Sequence, residues 1–204
     1  MNIFNIKNNG TTKEKILYTA AMMFAKDGYE NVSMRELSDA VGIRVASLYN
    51  HFKSKRDILC VLYGAYEEER DNSRPDMDAL LRMAETEHPL KVLNHLNHHA
   101  SIETEDLMNR IMVTAAHRVS ADADSAAFVK RNLLDIWTVF MKPLLVKMMD
   151  HGKIKPFNID TFIFLTAIYS FGGTAFHSST LEISMEDWKR GFNLLCSLIQ
   201  TIDE

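Results

Sequence analysis

The stretch from Ser33 to Lys55, SMRELSDAVGIRVASLYNHFKSK, constrains the fold more than any other part of the chain. Ser33-Met34-Arg35-Glu36 has the form of a capping box, in which serine and glutamate satisfy free amide donors at a helix start. The helix it opens is short and ends near Ala40. Gly42 follows, a residue that can turn the chain at positive φ. The spacing predicts a second short helix over about 44–52. Leu37, Val41, Ile43, Leu48 and Phe52 are spaced to lock the two short helices together, and Ala40 and Ala46 are small where they approach. Two short helices joined by a tight glycine turn make a helix-turn-helix.

Neighbouring segments extend this unit. Residues 12–27 read as a helix with Ile16, Leu17, Ala20, Ala21 and Phe24 on one face, ended by Gly28. Ser54-Lys55-Arg56-Asp57 resembles another cap, opening a long helix at about 55–72. After the break at Asn72–Asp76 the pattern predicts helices near 76–87, 89–100 and 104–119. A long helix over about 125–151 follows, with a kink expected at Pro143, and then two apolar helices over about 159–178 and 185–202, the last capped by Ser184. Only four prolines and eight glycines occur in 204 residues, and strand-like alternation is scarce, so the chain is expected to be all-α.

No apolar run is long enough for a membrane span, and the N-terminal MNIFNIKNNGTTKEK lacks an apolar signal core. An intracellular, cytoplasmic protein is expected. Cys60 and Cys196 are isolated and are expected to be buried thiols. The net charge of −4 conceals an asymmetry. Residues 1–60 hold nine lysines and arginines against six acids; the remainder holds fourteen against twenty-one. A basic head on an acidic body points to a polyanionic partner.

The outward side of the segment at 44–52 carries donors suited to that partner. Ser47, Tyr49 and His51 can donate to phosphate oxygens. Lys55 stands at a helix start, where the dipole disfavours a cation and a bound phosphate would reverse the cost. Ser33 and Arg35 flank the same groove. Arg44, Val45, Ala46 and Asn50 are the candidates for reading base edges.

Ala20, Phe24, Gly28, Tyr29, Ser33, Ile43, Ser47, Leu48, Tyr49, His51, Phe52, Lys55, Ile58 and Leu59 together carry a resemblance. With the signature Leu-Tyr-x-His-Phe-x-x-Lys over Leu48–Lys55, residues 12–59 resemble the DNA-binding domain of the TetR family of bacterial repressors. The match covers about a quarter of the chain. Where the family often places a small capping residue, this chain has Arg44. The resemblance implies a DNA-binding domain at 1–54 and a helical ligand-sensing and dimerisation domain at 55–204, joined by the helix at about 55–72. It further implies a homodimer that binds double-stranded DNA at a palindromic operator and is released by a small-molecule inducer.

The second part of the chain is compatible with those implications. Methionines and aromatics are frequent from 76 to 151 and suit either a site for apolar compounds or a plain core. Tyr66, Met112, His117 and Trp137 are the ligand-site candidates. The run 162-FIFLTAIYSFGGTAF-176 is apolar nearly all round and is expected to be buried on most sides. Phe164, Ile168, Gly172 and Ala175 on this helix, with Trp188, Phe192 and Leu195 on the last, are the candidate dimer interface. Two identical heads must reach half-sites about 34 Å apart or a multiple of it, which favours a dimer. His95 and His99 share a helix face near His98 and Glu103, but no set of ligands is completed, so no metal or other cofactor is expected. No phosphate loop, nucleophile elbow or Cys/His pair is present, so no catalytic residue and no enzyme is expected. The rival reading is a helical protein-interaction module, which leaves the basic, hydroxylated segment at 44–55 without a use.

Overall fold

The computed structural model describes residues 3–5, 10–95, 102–177, 185–197 and 199, and the described residues are all-helical. Contacts divide the chain into two compact units, residues 1–72 with 100–129, and residues 73–99 with 130–204.

The first unit begins with α1 (Thr12–Asp27), which is capped by Thr11 and Glu14 and buries the five apolar residues that its spacing predicts. Gly28 takes φ 85° at its end. The predicted capping box opens α2 (Met34–Val41): the Ser33 N–H donates to the Glu36 carboxylate at 2.8 Å and the Glu36 N–H donates to the Ser33 hydroxyl at 3.2 Å. Gly42 closes α2 at φ 77°, a left-handed conformation that side chains with a Cβ resist. Then come α3 (Val45–His51) and α4 (Lys55–Asn72). These four helices do not form a core alone. α7 (Ile102–His117) and α8 (Ala123–Val129) join them, with Ile111, Met112 and Phe128 in the same buried cluster as Leu37, Leu48 and Ile58. The compact unit therefore runs past position 54, because α4 turns its apolar face to α1 and α7.

An aromatic cluster closes this core. The Tyr63 ring stacks on Phe128 with centroids 4.1 Å apart, and its hydroxyl meets Ser125 Oγ at 2.8 Å. Tyr66 packs edge-on against Phe128 at 5.1 Å. Burial pushes both phenols up to about 12, the Ser125 hydrogen bond opposing the shift at Tyr63. The folded state thus holds protons that an unfolded chain releases near pH 10, so their stabilisation is complete below that pH and is lost as pH rises toward 12. Absorbance at 295 nm should show two of the six tyrosines ionising only with unfolding. Normal titration of all six before the helical signal is lost would contradict this packing.

In the second unit, α5 (Met77–Thr86), α6 (Pro89–Asn94), α9 (Ile136–Asp150), α10 (Ile159–His177) and α11 (Met185–Ser197) surround Leu80, Val92, Leu145, Met148, Ile163 and Phe192. The helix expected over 125–151 is interrupted at Lys130–Asp135 by a π-helical turn that buries Asn132. Pro143 lies inside α9 on an exposed side, where water can take the carbonyl that its missing N–H leaves. α6 is shorter than its pattern suggested, with His95 as its C-cap. His98, His99, Ser184 and Leu198 lie outside the described residues.

One burial expectation is corrected. Cys60 is exposed on the outer side of α4; Cys196 is buried, and burial pushes its thiol up to about 12. Over 162–168 of α10, Phe162, Ile163, Thr166 and Ala167 are covered within the chain, while Phe164, Leu165 and Ile168 face outward. The Thr166 hydroxyl donates to the Phe162 carbonyl at 2.9 Å, which makes its burial tolerable. Gly191 admits the Tyr169 hydroxyl where a Cβ would stand 2.0 Å from it, so a small residue is required there at the α10–α11 contact. Among the described residues no helix is long and apolar enough to cross a membrane.

Candidate nucleic-acid interface

Leu48 is fully buried and Phe52 nearly so, and these two anchors fix the rotation of α3. The remaining positions form two outward stripes at i, i+4 spacing, Val45 with Tyr49 and Ala46 with Asn50, all exposed. Val45 is 41% and Tyr49 50% exposed, unusual for an apolar and an aromatic side chain on so small a helix. Ser47 is half-buried at the edge and His51 is exposed. Arg44 takes the N-cap position in an extended conformation and makes no side-chain cap hydrogen bond, so its guanidinium is not tied to the helix it opens. Arg35 is exposed in the first turn of α2. The side chains of Arg35, Arg44, Tyr49, Asn50, His51 and Lys53 make no hydrogen bond or ion pair with any described residue. One surface thus gathers donors and positive charge with nothing among the described residues to satisfy them.

Lys55 departs from that pattern. Its ammonium donates to the carbonyls of Tyr29, Glu30 and Val32, the last two at 3.3 and 2.8 Å, and lies 4.4 Å from the centre of the Tyr29 ring. Its three protons are committed to the loop between α1 and α2. In this arrangement Lys55 braces the loop, and the carbonyls offset the unfavourable position of a cation at a helix start. Ser33 is similarly engaged, since its hydroxyl donates to Glu36 at 2.7 Å within the capping box.

A second brace has no local signal in the sequence. The Arg118 guanidinium, just past the end of α7, stacks 3.8 Å from the centre of the Tyr29 ring and pairs with Glu30. Arg56 pairs with Asp124 and reaches Asp122 at 3.8 Å. Lys55, Arg56 and Arg118 are therefore spent on internal partners, whereas Arg35, Arg44 and Lys53 beside α3 have no such partner among the described residues.

Residues 16–60 match the family model described as bacterial regulatory proteins, tetR family. Residues 16–60 are thus similar to the DNA-binding domain of the TetR family. The HTH-type transcriptional repressor KstR2 of Mycolicibacterium smegmatis is 36% identical over 76 residues, covering 33% of this chain and 37% of that one. The IcaR negative regulator of the biofilm operon in Staphylococcus aureus is 39% identical over 46 residues, 22% of this chain and 25% of its own. The chain thus matches well under half the length of these curated relatives. Among solved structures, KstR2 of Mycobacterium tuberculosis superimposes with a TM-score of 0.68 at 19% identity, covering 96% of this chain and 98% of that one. That likeness extends the fold over both units. Within this segment the signature Leu48–Lys55 divides by role: Leu48 and Phe52 are core, Tyr49 and His51 are surface, and Lys55 braces the α1–α2 loop.

The ligand-site candidates are not gathered in one core. Tyr66 and Met112 belong to the buried cluster of the first unit, and Trp137 to that of the second, 6.2 Å from Phe192. His117 is exposed at the end of α7. Among the dimer candidates, Phe164 and Ile168 are exposed, Gly172 and Leu195 are half-buried, and Ala175 and Trp188 lie on α10 and α11. Phe192 is corrected: it is fully buried in its own subunit against Trp137 and has no surface to offer a partner. His95 is exposed and its ring nitrogen meets the Lys91 carbonyl at 2.8 Å. Among the described residues no three His, Cys, Asp or Glu side chains gather as a metal would need.

Proposed function

We propose that this chain is a cytoplasmic transcriptional repressor that binds a palindromic operator in double-stranded DNA as a homodimer and leaves it when a small-molecule inducer binds. The observation that carries the reading is the α3 surface, where Arg35, Arg44, Tyr49, Asn50, His51 and Lys53 are exposed or reachable and lack partners among the described residues. In a groove, Tyr49, His51 and Lys53 contact phosphates, while Arg44, Val45, Ala46 and Asn50 face base edges. Ser47 lies at the edge of that contact, and Ser33 shapes it by holding Arg35 in the first turn of α2. The exposed residues Phe164 and Ile168 support dimerisation through α10, continued by Gly172 and Ala175 and joined by Trp188 and Leu195 of α11.

The inducer is proposed to be a largely apolar organic compound, with Tyr66 and Met112 of the first unit as its contact candidates; Trp137 belongs to the core of the other unit and His117 is exposed. A structural neighbour, AibR, has been solved with isovaleryl coenzyme A and operator DNA, at a TM-score of 0.61 and 18% identity, covering 94% of this chain and 100% of that one. KstR2 is described as a ketosteroid regulator. A ketosteroid and an isovaleryl group both carry apolar skeletons, which supports an apolar compound here.

Selection of genomic fragments on the immobilised protein at low salt tests this reading. A palindrome should be recovered, with affinity falling about 10³- to 10⁵-fold between 50 and 200 mM salt if six to ten phosphates are contacted. Tyr49→Ala should weaken every duplex alike, by about three- to tenfold, without changing the melting temperature. Failure to retain any duplex would leave a helical protein-interaction module as the better description.

A further inference from the structure

Phosphate contacts do not account for the apolar part of the α3 surface. Val45 and Ala46 stand side by side in its first turn, and both are exposed. Neither side chain has a hydrogen-bonding atom, so neither can meet a phosphate or a base heteroatom. An isopropyl group 41% open to water gains nothing until something apolar covers it. The spot is far too small for a protein partner, whose stable interface needs on the order of 1,000 Å². Its neighbours Arg44 and Asn50, and Arg35 on α2, are polar or cationic and lack partners among the described residues. A small apolar spot within a cationic, hydrogen-bonding rim complements the major groove. There the walls are anionic, and the apolar group on the base edges is the 5-methyl of thymine.

We propose that Val45, with Ala46 beside it, reads the methyl group of a thymine in each operator half-site. The proposal rests on the DNA-binding reading above and adds a specific chemistry to it. Leu48 and Phe52 hold the helix so that the Val45–Tyr49 stripe faces outward, and this rigidity lets one methyl contact discriminate. Tyr49 continues the same stripe one turn on, where its hydroxyl reaches the backbone.

The test uses the full chain and the recovered operator, with each half-site thymine replaced in turn by uracil, which removes only the methyl. Wild-type affinity should fall about three- to tenfold at one or two positions and stay level at the others. Val45→Ala should reduce that penalty to less than twofold, and Val45→Ile should restore it. Both substitutions lie on exposed surface, so melting temperatures should match the wild type. Equal affinity for every uracil-substituted duplex would overturn the proposal, as would an unchanged penalty in Val45→Ala. Those results leave DNA binding intact and so differ from a failure to bind any duplex, which would remove both readings.

Discussion

The double substitution Phe164→Asp/Ile168→Asp is expected to convert the proposed dimer to a monomer in sedimentation equilibrium and to weaken binding to the proposed operator by at least about 100-fold. Phe164 is 56% and Ile168 52% exposed, one turn apart on α10, with Leu165 beside them at 46%. Three large apolar side chains open to water on one helix face make a patch that a lone subunit leaves costly. Two carboxylates there remove the apolar gain and place like charges against each other across a two-fold axis. Their effect on the subunit's own fold should be small, because the buried face of α10, Phe162, Ile163, Thr166 and Ala167, is untouched. The effect on DNA binding should be large: once linked, the second head binds at an effective concentration that raises affinity about 10²- to 10⁴-fold, and a monomer forfeits it. A variant that stays dimeric with wild-type operator affinity would move the interface elsewhere, with the outward side of α9 at Val139 and Val146 the next surface to test.

What was legible in the sequence was local. The Ser33–Glu36 box, Gly42 and the spacing from Leu48 to Lys55 are signals within a few turns, and they place α1 to α4 and the exposed stripes of α3. The partners of Lys55 lie 23 to 26 residues upstream, Tyr63 meets Ser125 across 62 residues, and Arg118 meets Glu30 across 88. Periodicity carries no information on such pairs, so a lysine held by carbonyls reads the same as one awaiting a phosphate. α10 and α11 show the same limit. An apolar stripe says that a face is covered but not by which subunit, so Phe192 and Phe164 read alike although one is core and the other exposed. Pro143 is a visible breaker on a side that tolerates it, whereas the π-helical turn at Lys130–Asp135 follows from packing around Asn132 and has no breaker residue.

Lys55→Met is expected to destabilise the first unit by about 2–4 kcal/mol, lowering the melting temperature by roughly 5–10 °C for a chain of this size. The substitution keeps the aliphatic stem and removes only the ammonium. Three carbonyls then lose a charged donor, and one face of the Tyr29 ring loses its cation. Hydrogen bonds to a charged group contribute about 1.5–3 kcal/mol each, but the Glu30 carbonyl is open to water and recovers its bond there. Desolvation works the other way: partial burial pulls the Lys55 pKa below the usual lysine range, against the pull of Glu30, so part of the gain is already offset. The net of two protected hydrogen bonds less that cost sets the expected range. A phosphate ligand would behave differently. Its loss would leave the melting curve in place, lower affinity for all duplexes, and reduce the slope of log affinity against log salt by about one. Urea melts and a salt series on the same variant separate the two roles. A shifted melt with an unchanged slope identifies Lys55 as the brace that sets the α1–α2 loop, and through it the seating of α3. An unshifted melt with a reduced slope would return it to the DNA surface.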